Sequence, residues 1–209
     1  MNGESARQAG TDVRGRQAHV ERRTGETTVT VNLTLGRSGS SRIETGIGFL
    51  DHMLSHLALH GMMILDVQAE GDLHVDAHHT VEDVALTIGQ AIDQALGDRA
   101  GIVRMGSAHV PMDEALAVVA VDLSGRRYAV VDVDWTGSTV GGLPVTLIEH
   151  AIESFAIAAR ANVHARVPYG RDNHHKAEAV FKALGRALDA ATSLDPRRGT
   201  AIPSTKGNL

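Results

Sequence analysis

The chain has 209 residues, 43% of them apolar, enough to bury a core in one domain or in two small halves that share a sheet system. Its net charge of −5 and its few aromatic residues (Phe 3, Trp 1, Tyr 2) argue against a nucleic-acid surface, which needs excess positive charge and stacking platforms. Without cysteine it can form no disulfide, thiolate metal site or thiol nucleophile, so any metal must be held by nitrogen and oxygen, which draws attention to the 12 histidines. Residues 1–17 are polar and aperiodic and read as a disordered extension. They lack the apolar centre of a secretory signal, and no stretch approaches the roughly 18–20 apolar residues of a membrane span, so a cytoplasmic protein is expected. From Ala18 the pattern becomes strand-like, and residues 28–35 alternate strictly between apolar and polar, which predicts a sheet with one apolar face. Strand signals recur at 62–67, 116–123, 128–133 and 162–167, and helical spacing at 49–60, 79–96, 147–160 and 175–191. The fold class is therefore mixed, α+β. Residues 135–144 read as a loop, and 203–207 carry no regular pattern.

An internal repeat organises the chain. Shifted by 96 positions, His78, His79, Glu82, Val84, Gly89, Ala91, Asp93 and Ala95 fall on His174, His175, Glu178, Val180, Gly185, Ala187, Asp189 and Ala191. Upstream, Asp51-His52 matches Glu149-His150 at a shift of 98. Each half thus carries an acidic-His step, a strand, and a His-His-x-x-Glu motif that opens a helix. The boundaries drawn from this are 18–105 and 106–195 for the repeats and 196–209 for a C-terminal tail.

His and Glu three or four positions apart share a helix face and can share one ion. The apolar stripe of the same helix runs through Val84, Ile88, Ala91, Ile92 and Ala95. Glu82 is two residues from Val84, a rotation of about 200°, so it points away from that stripe. Gly89 and Gly185 lie two turns beyond each glutamate, where a missing side chain lets another backbone or a substrate come close. A cleft between repeats, or between subunits, is expected. A lone histidine at a helix start is usually a cap or a surface residue. The duplicated pair, the fixed glutamate spacing and the upstream histidines argue instead for a site that takes Mn, Fe, Zn, Co or Ni.

These residues resemble the imidazoleglycerol-phosphate dehydratase family over about 18–209. The resemblance rests on Thr45-Gly-Ile-Gly-Phe-Leu-Asp-His-Met-Leu54, His60-Gly61, His78-His-Thr-Val-Glu-Asp83, Gly101-Ile-Val-Arg104, Pro111-Met-Asp-Glu114, Asp122-Leu-Ser-Gly-Arg126, His174-His-Lys-Ala-Glu178, Phe181-Lys-Ala183 and Ser204-Thr-Lys-Gly207. It implies an internally duplicated α/β sandwich of the ribosomal protein S5 domain 2-like kind, each half a four-stranded sheet backed by helices. The implied activity is a cytoplasmic hydro-lyase of histidine biosynthesis that converts D-erythro-imidazole glycerol phosphate to imidazole acetol phosphate and water. Two Mn2+ per site are implied, in a 24-subunit homo-oligomer built from trimers, with no nucleic-acid or membrane partner. One ion would take His78, His150, His174 and Glu178, and the other His52, His79, Glu82 and His175. The acid/base would be Glu26. Phosphate would meet Arg104, Arg126, Lys182, Ser204 and Lys206. Arg127 stands where a proline is common in the family, which leaves Arg126 or Arg127 for the ligand, with Arg126 preferred. Lys182 has support of its own, because the first repeat carries Leu86 at the equivalent position.

The chemical difficulty is a C–H that is not acidic, next to the carbon that loses hydroxyl. A ring held as imidazolate between two cations could expel the hydroxyl and leave a diazafulvene-like intermediate with a more acidic C–H. Two other functions fit the ligands alone: a metal-stitched structural protein and a dinuclear hydrolase. The separate Arg/Lys/Ser cluster argues against the first. The roles of Asp83, Asp113 and Glu114 do not follow from the sequence.

Overall fold

The alternation at 28–35 produces a strand in which Thr27, Val29, Val31, Leu33 and Leu35 are buried while Thr28 and Asn32 face solvent. The computed structural model describes residues 16–207. In chain order the elements are β1 (Gln17–Arg23), β2 (Thr27–Leu35), β3 (Ile43–Glu44), α1 (Gly48–His60), β4 (Met63–Gly71), α2 (His78–Leu96), β5 (Met105–Met112), β6 (Ala115–Asp122), β7 (Tyr128–Val133), β8 (Thr139–Val140), β9 (Leu143–Pro144), α3 (Val145–Ala158), β10 (Asn162–Tyr169) and α4 (Asn173–Thr192). The order in one four-stranded sheet is β1-β2-β4-β3 and in the other β5-β6-β10-β7, while β8 and β9 form a small ribbon. In each sheet three strands are antiparallel and the last edge strand is parallel to its neighbour. The repeat in sequence is therefore a repeat in topology, and the class is α+β.

The helices form the middle of the molecule. Helix α2 lies on β1 and β2, and α1 on β3 and β4; in the second half α4 lies on β5 and β6, and α3 on β7 and β10. Across the middle α1 packs on α4 and α2 on α3, so each helix pair joins the two repeats. Leu54, Val84, Ile88, Ile152, Phe155 and Leu184 meet there around an apolar void of about 20 Å³. Each such side chain fully removed from water contributes about 1.5–3 kcal/mol. Gly89 and Gly185 set the distance between the helices. A Cβ on Gly89 would stand 2.6 Å from the Phe155 carbonyl oxygen, and one on Gly185 2.8 Å from that of Leu57.

Four expectations need correction, the first being the loop at 135–144, which carries the β8–β9 ribbon. Residues 1–15 of the expected extension lie outside the described residues, but Arg16 and Gln17 belong to the fold: Gln17 pairs with Thr34 in β1, and Arg16 Nη2 donates to the Thr192 carbonyl at 2.6 Å. Strand β5 had no signal because only Ala108 in it is buried and Pro111 interrupts it; pairing with β6 makes it a strand. Helix α3 stops at Ala158 instead of reaching Arg160, whose backbone turns left-handed at φ 51°. Among the described residues no helix is long and apolar enough to cross a membrane.

Candidate metal centre

Both His-His-x-x-Glu motifs open their helices behind an aspartate. Asp76 Oδ1 accepts the His78 N–H at 2.7 Å, and Asp172 Oδ1 accepts that of His174, also at 2.7 Å. The acids that precede the upstream histidines hold loops. Asp51 Oδ1 accepts the Thr45 N–H at 2.9 Å, and Glu149 Oε1 accepts the Trp135 indole N–H at 2.7 Å.

The eight expected ligands fall on two helix pairs, four on each, and each set of four is drawn from both repeats. In one, on α2 and α3, Glu82 Oε2 lies 3.9 Å from His78 Nε2 and Oε1 lies 3.8 Å from His150 Nε2. The His78 and His150 rings sit 4.9 Å apart, and His79 adjoins His78. In the other, on α1 and α4, Glu178 Oε2 lies 3.3 Å from His52 Nε2 and 3.2 Å from His174 Nε2, with His175 beside His174. The expected division between two ions takes two members from each group.

Glu82 points away from its helix's apolar stripe and is half-exposed, as its rotation predicts. Glu178 does not follow the same rule: it is buried, 6% exposed. It is covered by His52, His56 and His174 and by Lys182, whose Nζ lies 2.5 Å from Oε1. Burial is the largest single influence on its carboxyl and acts to raise it. The Lys182 hydrogen bond, the His56 and Lys182 charges and the His52 hydrogen bond together outweigh burial and hold it down to about 2.

The second histidine of each motif is held through Nδ1. Asp72 lies 3.0 Å from His79 Nδ1, and Glu114 lies 2.7 Å from His175 Nδ1. These carboxylates raise the pKa of both imidazoles and leave each Nε2 to face elsewhere. Glu114 also accepts the backbone N–H groups of Asp172 at 2.8 Å and Arg171 at 2.9 Å, and these bonds, the Asp172 bond foremost, with that of His175, hold its carboxyl far below the usual range. Asp113 stands 3.6 Å from His175 Nε2. Asp83 is buried and structural: it accepts from Arg22 Nε at 2.6 Å and from Thr27 Oγ1, which pins the β1–β2 turn against α2. That turn places Glu26 Oε2 3.8 Å from His79 Nδ1.

The donors fit a first-row divalent cation: imidazole and carboxylate without sulfur, with the buried Nε2 atoms of His56 and His150 finding no hydrogen-bond partner among the described residues. His56 and Asp72 were absent from the sequence reading. For His56 a signal existed, since His52, His56 and His60 recur at helical spacing on one face, with ring centres 4.6 Å and 6.0 Å apart. Asp72 lies in a loop and had no signal.

Arg104, Arg126, Ser204 and Lys206 line one open cleft of about 400 Å³ with Ser124, Gly125 and Thr205. Arg126, not Arg127, lines it. Arg104 is set by Asp122, 2.7 Å from its Nε, and by the Pro203 carbonyl, which accepts from Nη1 at 2.7 Å and ties the tail to the cleft. Lys182 lies outside this cleft, at Glu178.

A family model described as imidazoleglycerol-phosphate dehydratase matches residues 45–188. The imidazoleglycerol-phosphate dehydratase of Chloroflexus aurantiacus is 59% identical over 194 residues, 93% of this chain and 95% of that protein. That of a Roseiflexus species is 61% identical, over 93% of this chain and 98% of its own length. Among solved structures, the Staphylococcus aureus dehydratase superposes with a TM-score of 0.78 at 34% identity, covering 86% of this chain and 99% of that one. The Pyrococcus furiosus protein, solved in complex with (S)-C348, gives a TM-score of 0.77 at 35% identity, covering 91% of this chain and 100% of its own.

Proposed function

This chain belongs to the imidazoleglycerol-phosphate dehydratase family, and from that premise we propose that it acts as a two-metal enzyme whose site is complete only where two chains meet. It is a hydro-lyase of histidine biosynthesis. Its reaction, in the cytoplasm, is the dehydration of D-erythro-imidazole glycerol phosphate to imidazole acetol phosphate. The reading is carried by the division of the eight ligands: each expected ion needs two residues from the α2/α3 group and two from the α1/α4 group, and within one chain these groups collect separately. A neighbouring chain in a 24-subunit assembly of trimers would bring one group against the other.

Two divalent cations, manganese by family resemblance, would supply Lewis acidity and a template for the imidazole ring. His78, His150, His174 and Glu178 would hold one, and His52, His79, Glu82 and His175 the other. Asp72 and Glu114 keep His79 and His175 in the tautomer that presents Nε2. Glu26, on a turn fixed by Asp83 and close to His79, gives its proton to the leaving hydroxyl and, as the carboxylate, then takes the proton from the neighbouring carbon. Arg104, Arg126, Ser204 and Lys206 hold the phosphate dianion by charge-assisted hydrogen bonds worth roughly 1.5–3 kcal/mol each. Lys182 serves Glu178 in its own chain and reaches phosphate only where another chain's cleft faces it. The tail, anchored through Pro203, closes over the bound ligand.

Manganese-loaded protein should form imidazole acetol phosphate. Glu26→Gln should keep its metal content and lose turnover by at least about 100-fold. Full manganese loading without product would contradict the dehydratase reading, and normal turnover in the variant would remove Glu26 from the chemistry.

A further inference from the structure

The eight-ligand set leaves out a histidine that touches Glu178. His56 sits one turn beyond His52 on α1, with its Nε2 3.4 Å from Glu178 Oε1, while His52 Nε2 lies 3.3 Å from Oε2 of the same carboxylate. One donor atom from each of His52, His56 and Glu178 lies within 4.8 Å of the others. The Nε2 atom of His56 is buried and has no hydrogen-bond partner among the described residues. His52, with a side chain 44% exposed, leaves the group open to solvent on one side.

This arrangement breaks the symmetry of the repeat. His52, His174 and Glu178 correspond to His150, His78 and Glu82, but the position of His56 corresponds to Ser154 under the same shift of 98. Only the α1/α4 group carries the extra imidazole. In the two-ion reading His52 and Glu178 serve different ions, although within one chain they face each other. Two imidazoles and one carboxylate from a single chain make a 2-His-1-carboxylate set, a combination that holds divalent iron with coordination positions open. His78, Glu82 and His150 make another, but its nitrogens lie 3.8–3.9 Å from the carboxylate against 3.3–3.4 Å here.

We propose that His52, His56 and Glu178 form a loading site for one divalent transition-metal ion within a single chain, from which the ion passes into the shared set when a second chain supplies its histidines. This rests on the metal reading above and adds a step before it. Lys182, on a flexible stem beside the same carboxylate oxygen, swings aside as the ion enters.

The test uses full-length protein stripped by a chelator and given cobalt(II) at less than one ion per chain. First-ion affinity is read by competition with a chromophoric chelator, and ligand number by X-ray absorption fine structure. In wild-type protein the first ion should show two imidazole ligands. His56→Gln and His56→Ala should weaken it by at least about tenfold, the lower end of what losing even an orienting partner costs a metal site. His150→Ala, in the other group, should leave it unchanged. Wild-type first-ion affinity in both His56 variants, equal weakening by His150→Ala, or three imidazoles around the first ion would each overturn the loading site alone. No cobalt bound by wild-type protein would overturn the two-metal reading with it.

Discussion

Neighbouring histidines in each motif have different tasks. His78 and His174 face their glutamates four residues on, whereas His79 and His175 are turned by Asp72 and Glu114 through Nδ1. An imidazole fixed this way presents one nitrogen in one tautomer and needs no reorientation to bind. Asp72→Asn and Glu114→Gln should therefore each weaken metal affinity by about 10–100-fold, measured by chelator competition on stripped protein. Glu114→Gln should also lower thermal stability, because Glu114 holds the backbone of Arg171 and Asp172 ahead of α4. Unchanged affinity in both would mean that the carboxylates orient nothing. The helix face that each motif's first histidine shares with its glutamate was legible in the sequence from spacing and duplication. Asp72 was not, because a loop residue's partner is set by where the chain returns. The burial of Glu178 was hidden too: rotation about its own helix says nothing of α1 laid across it.

At the scale of elements, the crossing of α2 on α3 and of α4 on α1 brings residues of the two repeats into one group. Gly89 and Gly185 permit it. Replacing a helical glycine by alanine ordinarily gains about 1 kcal/mol of helix propensity, yet here the new Cβ would meet a backbone carbonyl at 2.6 Å or 2.8 Å. Forcing packed backbones apart costs about 1–3 kcal/mol or more, so the clash outweighs the gain. Gly89→Ala and Gly185→Ala should both lower the midpoint of denaturant unfolding, and a raised midpoint would contradict the close crossing. All four helices and most strands could be read from periodicity. Strand β5 could not, because an edge strand with one buried residue owes its form to its neighbour. Glycine spacing predicted a close approach, but only the fold identifies the approaching backbones as α3 and α1.

Across the whole molecule, two sheets enclose two helix layers, and the pseudo-symmetry that relates the halves leaves two ligand groups apart instead of one complete centre. The cleft proposed for phosphate is lined by the second repeat's Arg126, by Arg104 between α2 and β5, and by the tail, so on the proposed reading one chain carries every part of the site without assembling it. Duplication could be read directly from the sequence; the separation of the groups could not, since eight ligands in order along a chain do not say which of them meet. The central claim is that a working site takes the α2/α3 group from one chain and the α1/α4 group from another. His78→Ala damages only the first group and His174→Ala only the second, and both side chains are about half-exposed, so neither change threatens the fold. The most direct measurement is dehydratase activity after these two inactive variants are stripped of metal, mixed in equal amounts and reloaded with manganese. Random pairing across the interface should make about a quarter of the sites wild-type and restore activity to about that fraction. A mixture no more active than the separate variants would place each site within one chain and contradict the account.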